Sequence, residues 1–373
     1  MSFEIRTSER KTVRRCPQRW EWGYKQELKP KRESNPLWFG QAVHLALADW
    51  YKPGLERGPH PAETFRKVLE EGKVDRFVPD NPDDENEYVA SMELGIDMLV
   101  RYEKEFGLDG DWEIIAPERT FSVWFPEPGN RSNKRWLRYV GTWDAVARYI
   151  GESNSYFTHG SIWLLEHKTA ASITVQHLPT DDQAGAYWAV APMILRREGL
   201  LKEGEVIEGI LYNFLRKATD DPRPKNEEGL YCNKPTKQDY LSAIMNYDGD
   251  PGVSSAMKVE ELAKIAKDLK LEVLGEPSKV QPAPYFLRIP VYRSIGERRT
   301  QLQRIRAEAQ HIESYRSDRP LLPIIKNFTK DCAWDCDFYK MCKLHEAGED
   351  WEEYRDAMYT TWEPYGAHQI KAA

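Results

Sequence analysis

In the run SIWLLEHKT, a carboxylate, Glu166, stands two residues from an ammonium, Lys168. In a strand, side chains two apart share a face, so these two project together while His167 points to the other side. Ile162, Trp163, Leu164 and Leu165 precede them, and a charge in such company is costly unless it is paired or metal-bound. A second carboxylate, Asp144, sits in the apolar stretch GTWDAV of a preceding strand-like run, and a hairpin can bring it beside Glu166. Two adjacent carboxylates raise each other's pKa, and a divalent cation between them removes that penalty. Hard, oxygen-rich sites of this kind suit Mg²⁺ or Mn²⁺. Such a cation lowers the pKa of a bound water and polarises a phosphoryl oxygen, and a neighbouring lysine can hold the attacking water or stabilise the pentavalent phosphate. E-x-K alone is common as a solvated pair. The apolar setting and Asp144 make these three residues the expected centre of a phosphodiester-hydrolysing site.

The elements that must position them follow from periodicity. Residues 9–28 read as a helix with aromatic and basic residues interleaved, ending before Pro30. Residues 36–52 form an amphipathic helix opened by Pro36 and closed by Pro53-Gly54, and residues 61–73 and 84–107 read as two more helices. The pattern then changes to strand-like alternation in 112–125 and 136–149, followed by the apolar run 161–169. These three strands have short connections and are expected as an antiparallel meander, with a helix at 181–198 crossing over to a further strand at 207–214 in a mixed sheet. Residues 215–285 are polar and read as an insertion, with one helix at 256–270. A strand at 286–293 and a charged helix at 295–315 return to the core.

Further motifs flank the acidic centre in a fixed order. Gly40-Gln-Ala-Val-His44 lies in the 36–52 helix, and Gly141-Thr-Trp-Asp144 carries the first carboxylate. Glu166-His-Lys168 carries the second. Gln183-Ala-Gly-Ala-Tyr187 opens the next helix, with Gln183 and Tyr187 at i and i+4 on one face. With cysteines near both ends, this ordered set resembles the RecB-like branch of the PD-(D/E)XK nucleases. More narrowly, it resembles the iron–sulfur exonucleases related to the CRISPR-associated RecB-like family and the AddB nuclease domain, many of them phage-encoded. The resemblance covers about residues 8–345 apart from the insertion.

That resemblance implies an α/β fold of mixed α+β character, with a restriction-endonuclease-like core in which a mixed central sheet is flanked by helices. It divides the chain into a helical N-terminal region (1–110), a nuclease core (111–214), the insertion (215–285), a C-terminal strand, helix and cysteine segment (286–345), and a tail (346–373). It implies His44, Asp144, Glu166 and the backbone carbonyl of His167 as metal ligands and Lys168 as the catalytic lysine. Gln183 and Tyr187 would position the lysine and the DNA backbone. His159, His177 and the His167 side chain are not expected as ligands.

Five cysteines, an odd number, and an N-terminus without a secretory leader argue against a disulfide framework. Cys332-x3-Cys336-x5-Cys342 is a compact cluster, Cys16 is the natural fourth ligand, and Cys232 stands alone as an ordinary thiol. Four thiolates suit a 4Fe–4S cluster or a structural Zn²⁺. The resemblance favours 4Fe–4S, although its usual spacing is x2 and x5, so the x3 here leaves zinc open. Either group would tie the first helix to the C-terminal segment and link its binding to folding.

Net charge is −7, which argues against coating nucleic acid by bulk charge but leaves room for a local basic groove. Five Lys or Arg lie in residues 6–15, followed by Lys29, Lys31 and Arg32, and these are candidates for a phosphate channel. Trp20, Trp22 and Tyr24 are candidates for base stacking, against the plainer reading that the thirteen Trp and nineteen Tyr fill core and seams. No apolar stretch is long enough to span a membrane, and the N-terminus has no signal-peptide core, so a cytoplasmic protein is expected (in a bacterial host cell if phage-encoded). There is no Walker A motif and hence no ATP motor. The leading expectation is a Mg²⁺- or Mn²⁺-dependent exonuclease on single-stranded DNA ends, with 5′→3′ polarity suggested by the resemblance. An endonuclease or end-trimming factor with a recombinase or helicase partner is the second reading, and a non-cutting DNA-binding scaffold the third. A homo-oligomer is compatible with the resemblance.

Overall fold

Each of the two long strand-like runs at 112–125 and 136–149 is broken once, and the breaks decide the architecture. The computed structural model describes residues 3–31, 35–76, 82–127, 134–247, 252–317 and 323–366. In chain order, β1 (Phe3–Arg6) leads into α1 (Thr7–Arg15) and α2 (Pro17–Trp20), a π-helical turn (Glu21–Lys25) and β2 (Leu28–Pro30). Three helices follow: α3 (Asn35–Trp50), α4 (Pro61–Arg76) and α5 (Pro82–Phe106). Then come β3 (Trp112–Ala116), β4 (Arg119–Pro126), β5 (Arg135–Trp143), β6 (Ala145–Tyr149), β7 (Ile162–Ala170), α6 (Asp182–Arg197) and β8 (Ile207–Arg216). The remainder comprises α7 (Lys237–Met245), α8 (Val259–Asp268), β9 (Phe286–Tyr292), α9 (Ile295–Arg316), α10 (Cys332–Asp335), α11 (Tyr339–Ala347), α12 (Trp351–Met358) and β10 (Tyr359–Thr361).

The central sheet has five strands in the order β3-β6-β7-β8-β9, with β7 and β8 parallel and the other pairs antiparallel. This is the mixed sheet flanked by helices that the sequence predicts. The expected simple meander is different in detail. β4 and β5 leave the central sheet and pair with each other, and β1 adds parallel to β5, giving a separate sheet in the order β1-β5-β4. Proline removes a ladder donor, so Pro117 ends β3, and β4 restarts at Arg119 in the other sheet. The partner run breaks opposite, at Asp144 between β5 and β6.

β7 is apolar from Ile162 to Leu165 because both of its faces are covered. Ile162 and Leu164 face a core shared with α6 and α9, and Trp163 and Leu165 face a second core shared with α3, α4 and α5. The single helix expected over 9–28 is also broken. The residue before a proline is driven out of the helical region, and Cys16 accordingly takes φ −160°, ψ 111° ahead of Pro17. α6 is held at its start by Asp181, whose side chain accepts from the Gln183 backbone N–H. Residues 219–285 form a second compact unit with its own small core of Ile244, Leu262 and Ala266 on α7 and α8. α7 was not anticipated; Thr236 and Asp239 cap it reciprocally. No described helix is long and apolar enough to cross a membrane.

Candidate functional site

The two strand breaks face one another. β3 ends its pairing at Ala116 opposite Val146, and β4 begins its own at Arg119 opposite Trp143. Glu118 and Asp144 are therefore the residues left across the corner where the hairpin passes from one sheet to the other. Asp144 is held from two sides. Its Oδ1 lies 2.9 Å from His44 Nδ1 on α3, and its Oδ2 accepts the backbone N–H of His167 at 2.6 Å. On the neighbouring strand Lys168 Nζ donates to Glu166 Oε1 at 2.5 Å. The Asp144 and Glu166 side chains are only 10% and 4% exposed, so each needs the partner it has. His44, Glu118, Glu166, Lys168 and Gln183 line one cavity of about 540 Å³.

Strand parity holds on β7. Glu166 and Lys168 turn to the cavity, and the His167 ring turns into the α3–α5 core. There it stacks on Tyr51 with 5.7 Å between ring centroids, and its Nδ1 lies 2.9 Å from Asn213 Nδ2. Asn213 also contacts Tyr102 and Arg288, and the Arg288 guanidinium grips both oxygens of Asp109 at 2.8 and 2.7 Å. A buried polar network thus braces the strand behind the residue whose N–H fixes Asp144. His159 binds the Gly151 carbonyl and does not line the cavity, and neither does His177.

The electrostatics separate the acids. Burial pushes the Asp144 carboxyl up, but the His44 ring and the His167 N–H outweigh it and hold the carboxyl at about 2. Burial pulls His44 down, yet the Asp144 carboxylate raises it to about 9. Burial, with repulsion from Asp144, pushes Glu118 up to about 7. Burial likewise raises Glu166, with Lys168 offsetting only part of it. Lys168 stays above its ordinary value because Glu166 and Asp181 overcome the burial that would lower it. His167 is pushed down to about 4 by burial and stays neutral. His44, Glu118 and Asp144 each offer one donor atom, all within 4.8 Å of one another. Two carboxylates and a borderline imidazole make a mostly hard donor set that fits a divalent cation such as Mg²⁺ or Mn²⁺. Glu166, expected among the ligands, lines the same cavity but spends its hydrogen bond on Lys168. Glu118 was not anticipated. Its signal was an acid directly after a proline inside an apolar strand-like run.

Of the two flanking glycines, Gly141 has a packing reason. A Cβ on Gly141 would come within 2.7 Å of the Tyr187 ring, so the glycine makes room for Tyr187, whereas one on Gly40 would meet Thr169 Oγ1 on β7 at an ordinary 3.4 Å. Gln183 lines the cavity. Tyr187, one turn further along α6, is 7% exposed and packs edge-on against Phe121 with 5.3 Å between centroids, outside the cavity lining. The two share a helix face but sit at different depths.

Cys16, Cys332, Cys336 and Cys342 line a second cavity of about 430 Å³, together with Trp22 and Lys326. The extended backbone at Cys16 turns it out of α1, and α10 is a single turn that places Cys332 and Cys336 four residues apart. The x3 spacing is thus one helical turn. Backbone and side-chain hydrogen bonds from Thr329 hold the Cys332 thiol below its usual value, and burial pushes Cys336 and Cys342 up. Beside the cavity, Trp22, Phe338, Met341 and Tyr359 form a small satellite core. Cys232 is buried in the second unit.

The expected basic channel is mostly occupied by internal pairing. Arg10 and Arg14 bridge to Asp182 and Glu308, Arg15 to Asp335, and Arg19 to Asp337. Arg6 lies against the rings of Tyr24, Trp362 and Tyr365, and Lys31 donates to the carbonyls of Asp356 and Ala357. Arg32 lies outside the described residues. Trp20 and Trp22, at 0% and 2% exposed, are core residues rather than stacking platforms.

A family model described as the PD-(D/E)XK nuclease superfamily matches residues 7–343 of the chain. No curated protein matches it.

Proposed function

The chain belongs to the PD-(D/E)XK nuclease superfamily, whose members are metal-dependent nucleases, and from that premise we propose a RecB-like iron–sulfur exonuclease that degrades DNA from single-stranded ends. The observation that carries this reading is the corner that sets Asp144 against His44 and Glu118 and opens onto the Glu166–Lys168 pair. His44, Asp144 and Glu118 would hold the cation, with Glu166 and the His167 carbonyl completing the set that the motif order implies. When bound, the cation supplies an activated water and a Lewis acid for a phosphoryl oxygen. Lys168 keeps its proton because Glu166 and Asp181 outweigh its burial. It therefore meets the substrate as a cation and stabilises the negative charge that grows on the phosphate, rather than acting as a base. Glu166 aims that ammonium, and Gln183 offers its amide at the cavity wall. Tyr187 acts indirectly, by setting the level at which α6 presents Gln183.

The four thiols are proposed as ligands of a 4Fe–4S cluster. The four thiols gathered around one cavity support a shared thiolate-bound group there, and the motif order favours the cluster over zinc. Purified protein of this kind is brown and carries iron and acid-labile sulfide, whereas a zinc protein is colourless. Thiols kept free for such a site fit the cytoplasm, of a bacterial host if the gene is phage-borne. DNA is the substrate, and a recombinase or helicase partner and a homo-oligomer are part of the same proposal.

The test is digestion of linear single-stranded DNA blocked at the 5′ end, at the 3′ end or closed into a circle, with Mn²⁺, Mg²⁺ or EDTA. The reading expects cation-dependent cutting that a 5′ block prevents and circular DNA resists. Cutting of circles supports the endonuclease reading instead. No cutting of any substrate with either cation supports the scaffold.

A further inference from the structure

Of the five basic residues between positions 6 and 15, four are committed. Arg10, Arg14 and Arg15 are ion-paired, and Arg6 is enclosed by three aromatic rings. Lys11 differs from them. It is exposed, and among the described residues it has no ion-pair partner. Its Nζ donates instead to Gln183 Oε1 at 3.0 Å. Gln183 is a wall of the cavity that holds Glu166 and Lys168, so α1 delivers a second ammonium to the rim of that cavity. Although Lys11 is open to solvent on one side, the side chains around it cost its ammonium some hydration and lower its pKa, while Asp181 and Glu166 attract its charge and Lys168 repels it. Two lysines that repel each other beside a cavity, one held by a neutral amide rather than a carboxylate, leave an anion-binding position between and beside them. A neutral amide holds the ammonium without cancelling its charge.

We propose that Lys11 is a phosphate-binding residue, which takes a phosphodiester of the DNA backbone next to the one presented to Lys168. The proposal rests on the reading of the cavity as a nuclease site. Lys11 would contact substrate without taking part in bond cleavage, so its loss should weaken binding more than turnover. Lys11 also lies on α1, and Cys16 follows directly where that helix ends at Arg15, so the thiol cavity anchors the element that presents it.

The experiment uses the full chain with its thiol site loaded, a fluorescent single-stranded oligonucleotide, and Mn²⁺ across a range of salt. Variants are K11A, K11Q, K11R and K168A. For K11A and K11Q the expected result is a rise in KM of about tenfold and a smaller fall in kcat. The slope of log(kcat/KM) against log salt should also shrink by about 0.7, the contribution of one phosphate on a single strand. K11R should recover most of the KM. DNA binding in EDTA, read by anisotropy, should weaken in parallel, and K11Q keeps the aliphatic stem if K11A does not fold. Wild-type KM and salt slope in K11Q, with K168A inactive, overturns the role of Lys11 alone. Wild-type activity in K168A overturns the nuclease reading of the cavity and the proposal with it.

Discussion

The carboxylate corner and the thiol cavity are both sites assembled from distant parts of the chain, but they are built on opposite plans. The corner sits at the junction of two sheets between the two large cores, and its charges are matched from within: His44 with Asp144, and Lys168 with Glu166. Nothing need arrive from outside for those residues to take their places. The thiol cavity is flanked by a satellite core of four residues, and burial keeps Cys336 and Cys342 protonated until something displaces the proton. A site whose polar groups neutralise one another can be preorganised by folding. A site of like ligands holds no opposite charge of its own, so its order depends on what binds it. The corner is thus the part suited to chemistry, and the cavity the part suited to holding α1 and the C-terminal segment together.

The sharpest way to break that contrast is to damage each site and read both activity and stability. Asp144→Asn keeps the shape of the side chain but removes the charge that His44 and any cation share. Nuclease activity should fall on the order of 10³-fold, comparable to losing a principal electrostatic contact in a transition state, while the melting temperature moves by a few degrees. Cys332→Ser should do the reverse. With about 5 kcal/mol of linked stability lost, the melting temperature drops by roughly 5–10 °C, and the folded fraction retains its kcat at saturating DNA. If Cys332→Ser removed kcat without lowering the melting temperature, the division of labour would be wrong.

How much of this could be read from the residues depends on the range of the interaction. Glu166, Lys168 and the turn of the His167 ring away from them follow from the two-residue period of a strand, which is local, and the paired sheet preserves it. Asp144 was legible because an acid among apolar residues needs a partner. Glu118 was not, because the run 112–125 read as one strand, and only the switch between sheets makes Pro117–Glu118 a corner. The break at Cys16 was visible in Pro17 and was smoothed over by the basic and aromatic pattern on either side. The arginines of α1 looked like a DNA surface because their acids, Asp182, Glu308 and Asp335, lie far along the chain. Helical spacing placed Gln183 and Tyr187 on one face correctly, but a helix running into a core carries one face from solvent to interior, and spacing does not report depth.

The smallest expected effect tests whether the corner is as self-sufficient as its internal pairing implies. Glu118 is the one acid there with no cationic partner in hydrogen-bond contact among the described residues, and its carboxyl sits at about 7. A carboxyl raised in the folded state is still protonated when its unfolded counterpart has ionised. On its own, this group therefore lowers folding stability as pH climbs from the ordinary carboxylate range through 7. A bound cation prefers the carboxylate and reverses that preference. Binding then expels a proton from Glu118 below about pH 7, and one from His44 below about pH 9 where its ring becomes a ligand. Cation affinity should rise with pH by up to two protons' worth of slope below 7 and by one between 7 and 9. Glu118→Gln keeps the shape without the titration, so its slope should be about one proton throughout, and its Mn²⁺ affinity at pH 8 should be roughly tenfold weaker, within the range seen when a group supporting a metal is lost. Titration calorimetry in buffers of different ionisation enthalpy counts the protons directly. Identical proton release by wild type and Glu118→Gln at pH 6 would remove Glu118 from the cation site and leave the corner to His44, Asp144 and Glu166.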